Sequence, residues 1–252
     1  MSLLTSHIPH LLILCHLCVL CGDKLLVSAA REQSRFGSKA LRIEDEVAAI
    51  VGVVLVGGKS RRYGRNKALE VFQGERLIDR QLRKVQALFQ EVFVITNEPG
   101  DYLHLEVTIV RDVIPGLGPL GGIYTGLLFA QGKSVFVTAC DMPFLQPAVV
   151  KHMMHLSRNN DVVVPEKKEG LEPLHAIYSA RCLPHIKKML DRGMFQVVSF
   201  FPAVKVCRLS QEELEKLDPY GLSFFNINTP DDMNRARELL EELRESPELE
   251  TG

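Results

Sequence analysis

Short apolar runs alternate with longer amphipathic stretches along most of the chain, and this alternation constrains the fold more than any other feature. Strand-like runs lie at Ile50–Val56, Val92–Thr96 and Ser134–Ala139, and helix-like stretches at Leu77–Phe89 and Leu120–Ala130 lie between them. Strand periods that alternate with helix periods are typical of βαβ units on a mostly parallel sheet. We therefore predict an α/β fold with a single doubly wound, mostly parallel sheet.

The same pattern continues toward the C-terminus. The last helix has the clearest start, because Thr229 suits an N-cap, Pro230 suits the first turn and Asp231 suits the positive end of the helix dipole. The other predicted elements are strands at Val107–Val110, Asp161–Pro165, Ala176–Tyr178 and Val204–Arg208 and helices at Pro147–Leu156 and Ser179–Leu190.

The first 46 residues differ in character from the rest. Residues 8–21 are apolar but contain two histidines, and the run is shorter than the roughly 20 residues that span a bilayer. A signal-peptide core is disfavoured because no basic segment precedes the run. Residues 28–46 are polar and charged, which is typical of a linker. We predict a weakly ordered N-terminal extension at 1–46 and the domain at 47–252.

Charge and cysteine usage restrict the partners and the compartment. The chain has 30 Lys and Arg against 31 Asp and Glu, so it lacks the overall basic field that favours nucleic-acid binding. The six cysteines include Cys140, Cys182 and Cys207 in apparent core elements, which is not the pattern of a disulfide framework. We expect no nucleic-acid partner, no membrane partner and a cytoplasmic location.

The segment after the first strand carries an unusual density of glycines and cations. Residues 55–67 read L-V-G-G-K-S-R-R-Y-G-R-N-K. Gly57 and Gly58 allow the backbone to approach a ligand closely, loop amides suit phosphate oxygens, and Arg62 and Lys67 add positive charge. The spacing fits neither a Walker A loop nor a dinucleotide fingerprint, so an NAD-dependent oxidoreductase is disfavoured. The segment predicts an anion site, with a solvated basic loop as the alternative.

Single polar residues follow three further strands. They are Asn97, Asp112 and Asp141. Ligands of open α/β sheets bind outside the carboxyl ends of the strands, so these side chains are expected to converge with the opening loop on one crevice. Asp141 follows a very apolar strand, where a carboxylate is costly unless a cation or metal matches it. We predict a Mg²⁺ ligand at this position, and a helix cap is the alternative.

These segments resemble the molybdenum cofactor guanylyltransferase family. Residues 55–67 are similar to its L-A-G-G-x-S-x-R-x-G-x-x-K signature, with Val56 in place of the usual Ala, and Ser or Ala is commoner than Gly at Gly121 or Gly122. The resemblance implies a Rossmann-like nucleotidyltransferase fold. The further matches are V-R-D ending at Asp112, G-P-L-G-G-I from Gly118, C-D-M-P from Cys140, E-P-L-H-A-I-Y from Glu172 and F-N-I-N-T-P from Phe225.

The resemblance also implies site residues. The implied catalytic residues are Lys67, Asp141 and Arg62, with Asp141 as the metal ligand for a Mg²⁺ cofactor. Asn226 and Asn228 would lie on the side of the pterin substrate, where the amide end of the helix at Pro230 would suit its phosphate. The implied nucleotide-binding residues are Leu55, Val56, Gly57, Lys67, Asn97, Asp112 and Asp141.

The implied reaction transfers GMP from GTP to a molybdopterin-type cofactor and releases pyrophosphate. The attacking phosphate is already an anion, so the protein would supply alignment and charge neutralisation rather than a strong base. The implied partners are GTP, the molybdenum cofactor and a cofactor-delivery or acceptor molybdoenzyme.

Two alternatives stay open. A related cytidylyl- or sugar-nucleotide transferase is disfavoured because cytidylyl relatives usually carry L-A-A-G and C-D-Q-P, where this chain has Gly57 and Met142. A non-catalytic nucleotide- or pterin-binding partner is disfavoured because Lys67 and Asp141 are retained.

His175 is equally compatible with lining the pterin cleft and with packing beside a strand.

Overall fold

The computed structural model describes residues 50–57 and 66–245, without the side chains of 243–245, and it confirms the predicted α/β class. The strands are β1 (Ile50–Val56), β2 (Val71–Phe72), β3 (Glu75–Arg76), β4 (Val92–Thr96), β5 (Thr108–Arg111), β6 (Ser134–Ala139), β7 (Val162–Lys167), β8 (Gly170–Leu171), β9 (His175–Tyr178) and β10 (Val206–Leu209). The helices are α1 (Leu77–Gln86), α2 (Gly118–Phe129), α3 (Pro147–Ser157), α4 (Leu183–Asp191), α5 (Gln211–Leu217) and α6 (Pro230–Glu245).

The main sheet has the strand order β10-β7-β9-β6-β1-β4-β5, and β8 pairs with β7 outside this path. Strand β1 pairs in parallel with β4 and β6, as β4 does with β5 and β7 with β10. Strand β9 instead runs antiparallel to both β6 and β7. The prediction of a mostly parallel sheet is therefore confirmed, with β9 as an exception that the apolar runs did not reveal.

Helices cover both faces of the sheet, as a doubly wound domain requires. Val54 of β1 packs in the core layer that includes α1 and α3, and its neighbour Val53 packs in the layer that includes α2 and α4. Gly52 lets α1 approach the sheet closely, since an added Cβ would lie 2.5 Å from Val85 Cγ1. Because β1 is buried on both faces, its sequence is a continuous apolar run.

Within the described ranges no helix is both long and apolar enough to cross a bilayer. The predicted extension at residues 1–46 and its boundary with the domain lie outside the described residues and stay predictions.

Candidate active site

A cavity of about 380 Å³ lies at the carboxyl ends of β1, β4, β5 and β6. This volume is within the range of small-molecule sites, and the position is where open α/β sheets bind ligands. Arg62 lies outside the described residues. The predicted site residues that line the cavity are Leu55, Val56, Gly57, Lys67, Asn97, Asp112, Asp141 and Asn226.

Lys67 joins two parts of the chain that are distant in sequence. Its Nζ donates a hydrogen bond to Asp141 Oδ2 at 2.7 Å and another to Asn228 Oδ1 at 3.0 Å. The two charged side chains are only 11% and 21% exposed, so solvent screens their attraction less than that of a surface pair. Asn228 therefore lies beside Lys67, and its predicted contact with the pterin substrate stays a prediction.

Asp141 has one oxygen available for a cation. Its Oδ1 is buried and accepts no hydrogen bond from the described residues, while Oδ2 faces the ammonium of Lys67. The alternative of a helix cap is wrong, because α3 begins six residues later, after Gln146, without a side-chain cap. A buried carboxylate oxygen without a partner is costly, and it is the kind of hard oxygen donor that binds Mg²⁺.

Asn66 fixes the backbone that carries Lys67. Its Oδ1 accepts a hydrogen bond from Ala68 N at 3.2 Å and so caps the turn at Lys67–Leu69. Its Nδ2 donates to the hydroxyl of Tyr102 at 2.8 Å, and burial raises the pKa of that hydroxyl to about 12. Sequence reasoning missed Asn66, although Asn before a short turn is a recognisable capping signal.

Asp112, which follows β5, lines the same cavity and is held by two hydrogen bonds. It is 7% exposed, and its Oδ1 accepts hydrogen bonds from Thr125 Oγ1 at 2.7 Å and from Ile114 N at 3.2 Å. Sequence reasoning missed Thr125, whose signal is a polar residue inside the very apolar helix α2. Asn97, which follows β4, lines the same cavity and is exposed.

The start of α6 has a reciprocal cap formed by Thr229 and Asp232. Thr229 Oγ1 accepts a hydrogen bond from Asp232 N at 3.1 Å, which confirms the predicted N-cap. The carboxylate of Asp232, however, accepts the amides of Asn228 and Thr229 at 2.8 Å each. This carboxylate adds negative charge beside the helix start, which weakens the case for a phosphate there, and the predicted pterin-phosphate site stays a prediction.

His175 and Cys140 are both buried in the core, and burial shifts the pKa of each side chain. His175 is fully buried, and its ring lies 5.3 Å from that of Phe136 and 5.2 Å from that of Phe224, edge to face. Burial lowers the pKa of His175 to about 3, so the ring is neutral. Burial raises the pKa of the Cys140 thiol to about 12, which leaves no thiolate nucleophile at neutral pH. Of the two interpretations of His175, the structure supports packing.

The architecture places the chain among open α/β proteins, whose ligands bind at the carboxyl edge of a parallel sheet. Comparison with known proteins narrows this class. Residues 52–206 match the family model of the MobA-like NTP transferase domain. A molybdenum cofactor guanylyltransferase from Desulfosudis oleivorans is 39% identical over 190 residues, which cover 75% of this chain and 94% of that protein.

Solved structures agree with this comparison. Molybdopterin-guanine dinucleotide biosynthesis protein A from Archaeoglobus fulgidus matches with a TM-score of 0.68 at 31% identity, over 76% of this chain and 99% of that one. The 4-diphosphocytidyl-2C-methyl-D-erythritol synthase from Anaerococcus prevotii has a TM-score of 0.58 at 14% identity over 79% of this chain and 99% of that one, which shows a shared fold alone. The chain belongs to the molybdenum cofactor guanylyltransferase family of MobA-like NTP transferases, and the predicted resemblance is confirmed.

Proposed function

We propose that the protein transfers GMP from GTP to a molybdopterin-type cofactor. A terminal phosphate oxygen of the pterin substrate forms a bond to the α-phosphorus of GTP, the bond to the β-phosphate breaks, and pyrophosphate leaves. The observation that carries the proposal is the contact of Lys67 with both Asp141 and Asn228 beside a nucleotide-sized cavity. These groups suit a reaction in which negative charge moves from one phosphate to another.

Lys67 acts on the triphosphate in this proposal. Its ammonium lies between two oxygen atoms, and the triphosphate offers it stronger acceptors when GTP binds. Lys67 then neutralises charge on GTP and on the departing pyrophosphate. Asn66 keeps the backbone of Lys67 in place, so only the flexible side chain needs to move.

Asp141 is the proposed ligand of a divalent cation, and the residues present fit Mg²⁺. The buried Oδ1 is a hard oxygen donor without a partner among the described residues. Mg²⁺ sites in nucleotide enzymes commonly use one or two carboxylates and complete the coordination with substrate phosphates and water. When bound, Mg²⁺ would polarise the phosphoryl oxygens. Asp141 would hold it, while Arg62 stays a predicted contributor to phosphate binding.

The remaining site residues would define the two substrate ends. Leu55, Val56 and Gly57 at the end of β1 suit the guanine and phosphate end. Asn97 and Asp112 are the proposed nucleoside contacts. Asn226 and Asn228 are proposed to contact the pterin substrate where it meets the α-phosphate, next to Lys67.

The proposed setting is the cytoplasm, with an acceptor or cofactor-delivery molybdoenzyme as a further partner. Cys140, Cys182 and Cys207 are free thiols, which accords with a reducing compartment. The pterin dinucleotide product must be handed on, and a molybdoenzyme is the class of protein that would receive it.

The test is product analysis with purified full-length protein. Incubation with molybdopterin, Mg²⁺ and one nucleoside triphosphate at a time should release pyrophosphate and form a dinucleotide with GTP but not with CTP, ATP or UTP. A product with CTP instead would support the cytidylyl alternative. Tight GTP binding without pyrophosphate release would support a non-catalytic binding protein and overturn the proposal.

A further inference from the structure

Asp112 presents one free carboxylate oxygen to the cavity. Its Oδ1 accepts hydrogen bonds from the Thr125 hydroxyl and the Ile114 amide, whereas Oδ2 accepts none from the described residues. The two oxygens of this carboxylate therefore have different tasks. One anchors the side chain to the protein, and the other is left for a donor that arrives with a ligand.

The anchor is built into the core of the domain. Thr125 is fully buried in the middle of α2, and its hydroxyl also accepts a hydrogen bond from Val113 N at 3.1 Å. That second bond fixes the direction of the hydroxyl, because the oxygen accepts from Val113 while its proton points to Asp112 Oδ1. Thr125 thus ties the loop after β5 to α2 at the residue that faces the ligand.

Gly121 keeps the free oxygen open. An added Cβ at this position would lie 3.2 Å from Asp112 Oδ2 and 3.2 Å from Leu117 Cβ. The absence of a side chain one helical turn before Thr125 therefore leaves Oδ2 uncrowded by this helix. The same helix therefore holds one carboxylate oxygen and avoids covering the other.

We infer that Thr125 is a positioning residue for nucleotide selection, which presents Asp112 Oδ2 to an N–H or O–H donor of the nucleoside. This inference rests on the proposed function, since the ligand is a nucleoside triphosphate. A carboxylate held at a fixed angle favours a nucleotide that places a donor opposite it, and one that lacks the donor leaves a buried acceptor unpaired. The donor belongs either to the 2-amino group of guanine or to a ribose hydroxyl.

The experiment measures nucleotide binding by calorimetry, without the pterin substrate. The ligands are GTP, ITP, 2′-deoxy-GTP and 3′-deoxy-GTP, which separate the 2-amino group from the two hydroxyls. The wild-type protein should bind one analogue about tenfold more weakly than GTP, the effect of one hydrogen bond to a charged group. In Thr125→Val, GTP affinity should fall to the level of that analogue, whose own affinity should change little. Thr125→Ser should restore the preference.

Matched variants separate positioning from folding. Thr138→Val removes a different buried hydroxyl, which pairs with Gln81 at 2.8 Å, and should lower stability without changing the preference for GTP over the analogue. If Thr125→Val does not fold, Gly121→Ala tests the inference at the other carboxylate oxygen. The added Cβ would crowd Asp112 Oδ2 and should reduce the preference for GTP over the analogue.

Two results would overturn the inference. One is a wild-type protein that binds all four nucleotides equally, and the other is a loss of affinity in Thr125→Val that is the same for every nucleotide. Failure of the proposed function would look different, because the wild-type protein would then bind no GTP or would form no dinucleotide with it.

Discussion

Asp141 and Asp112 both follow strands of the sheet and both line the cavity, but they are held by different kinds of partner. Asp141 pairs with the ammonium of Lys67, which sits at the end of a flexible side chain. Asp112 is fixed by the hydroxyl of Thr125, which is buried in a helix, and by the backbone amide of Ile114. One partner is charged and able to move, whereas the others are neutral and fixed.

This difference indicates that Asp141 and Asp112 have different roles in the cavity. A lysine can exchange one oxygen partner for another as charge enters and leaves the site, because its side chain has several rotatable bonds. A buried hydroxyl with two directed hydrogen bonds allows one orientation only. The Asp141 end is therefore suited to charge that changes during the reaction, and the Asp112 end to recognition of neutral groups that do not change.

Removal of the charge of Asp141 should have the largest effect on activity. Asp141→Asn keeps the size of the side chain but weakens cation binding, so kcat should fall on the order of a hundredfold or more, as when one charge-stabilising group is lost. The measurement is pyrophosphate release at saturating Mg²⁺ with a parallel melting curve. As a control, Asp218→Asn alters a buried carboxylate that accepts the amides of Leu222 and Ser223, and it should lower stability but not kcat. Activity near wild type in a folded Asp141→Asn protein would contradict the proposed metal ligand.

Loss of the Lys67 ammonium should raise the KM for GTP and lower kcat, by about tenfold each, because the charge serves both bound GTP and departing pyrophosphate. The double variant with Asp141→Asn should show less than the sum of the two effects. Steady-state kinetics of Lys67→Ala measure this, and Lys133→Ala is the control, since Lys133 pairs with Glu91 at 2.5 Å in an exposed position. Full additivity would mean that Lys67 and Asp141 act on separate steps.

Lys67→Ala also tests whether the ammonium holds the place of a cation in the free protein. Without it, Asp141 Oδ2 and Asn228 Oδ1 lose their shared donor. Mn²⁺ binding in the absence of nucleotide, measured by electron paramagnetic resonance, should then become severalfold tighter than in the wild-type protein, since a positive charge is removed from the site. Equal or weaker Mn²⁺ binding would mean that the two cations do not compete.

Much of the fold was predictable because buried strands carry simple patterns. The strands Ile50–Val56, Val92–Thr96 and Ser134–Ala139 have the predicted bounds, since they are apolar runs buried between two helix layers. The antiparallel direction of β9 was not predicted, because an apolar run does not indicate in which direction the strand runs. The short link from Lys167 to His175 was the available signal, since it cannot hold a helical crossover.

The positions of the site residues were predictable from the sequence, but most of their side-chain contacts were not. Strand-end positions placed Asp112 and Asp141 at one cavity, because the geometry of a parallel sheet brings strand ends together. The contacts of these side chains with Lys67 and Thr125 depend on distances that sequence spacing does not encode. The full cap of α6 was also predictable, because Thr229 followed by Asp232 is the spacing of a capping box.

Asn228→Ala should have an intermediate effect that separates the two substrates. Lys67 keeps its pair with Asp141, so the affinity for GTP should change less than about threefold. The value of kcat should fall about tenfold, because the proposed hydrogen bond between Asn228 and the charged pterin phosphate is lost. Calorimetry with GTP and turnover with the pterin substrate measure the two quantities. Equal losses in both would mean that this loop has a structural role and does not contact the pterin substrate.

The smallest expected effect comes from a change at Tyr102, which contacts Asn66, the cap of the turn that carries Lys67. Tyr102→Phe removes the hydroxyl that accepts Asn66 Nδ2, but Asn66 still caps the turn and still donates to Asp101 Oδ2 at 3.1 Å. We expect stability to fall by about 1 to 2 kcal/mol and kcat by no more than about threefold, since the hydroxyl also donates to Asn66 Oδ1 and both of its hydrogen bonds with Asn66 are lost. Tyr178→Phe removes a comparable buried hydroxyl, which donates to Pro173 O at 2.7 Å, and it should lower stability without changing kcat. If the two variants behaved alike, Tyr102 would only stabilise the fold. A loss of activity as large as that of Lys67→Ala would instead mean that the backbone of Lys67, and not only its flexible side chain, determines the chemistry at the Asp141 end.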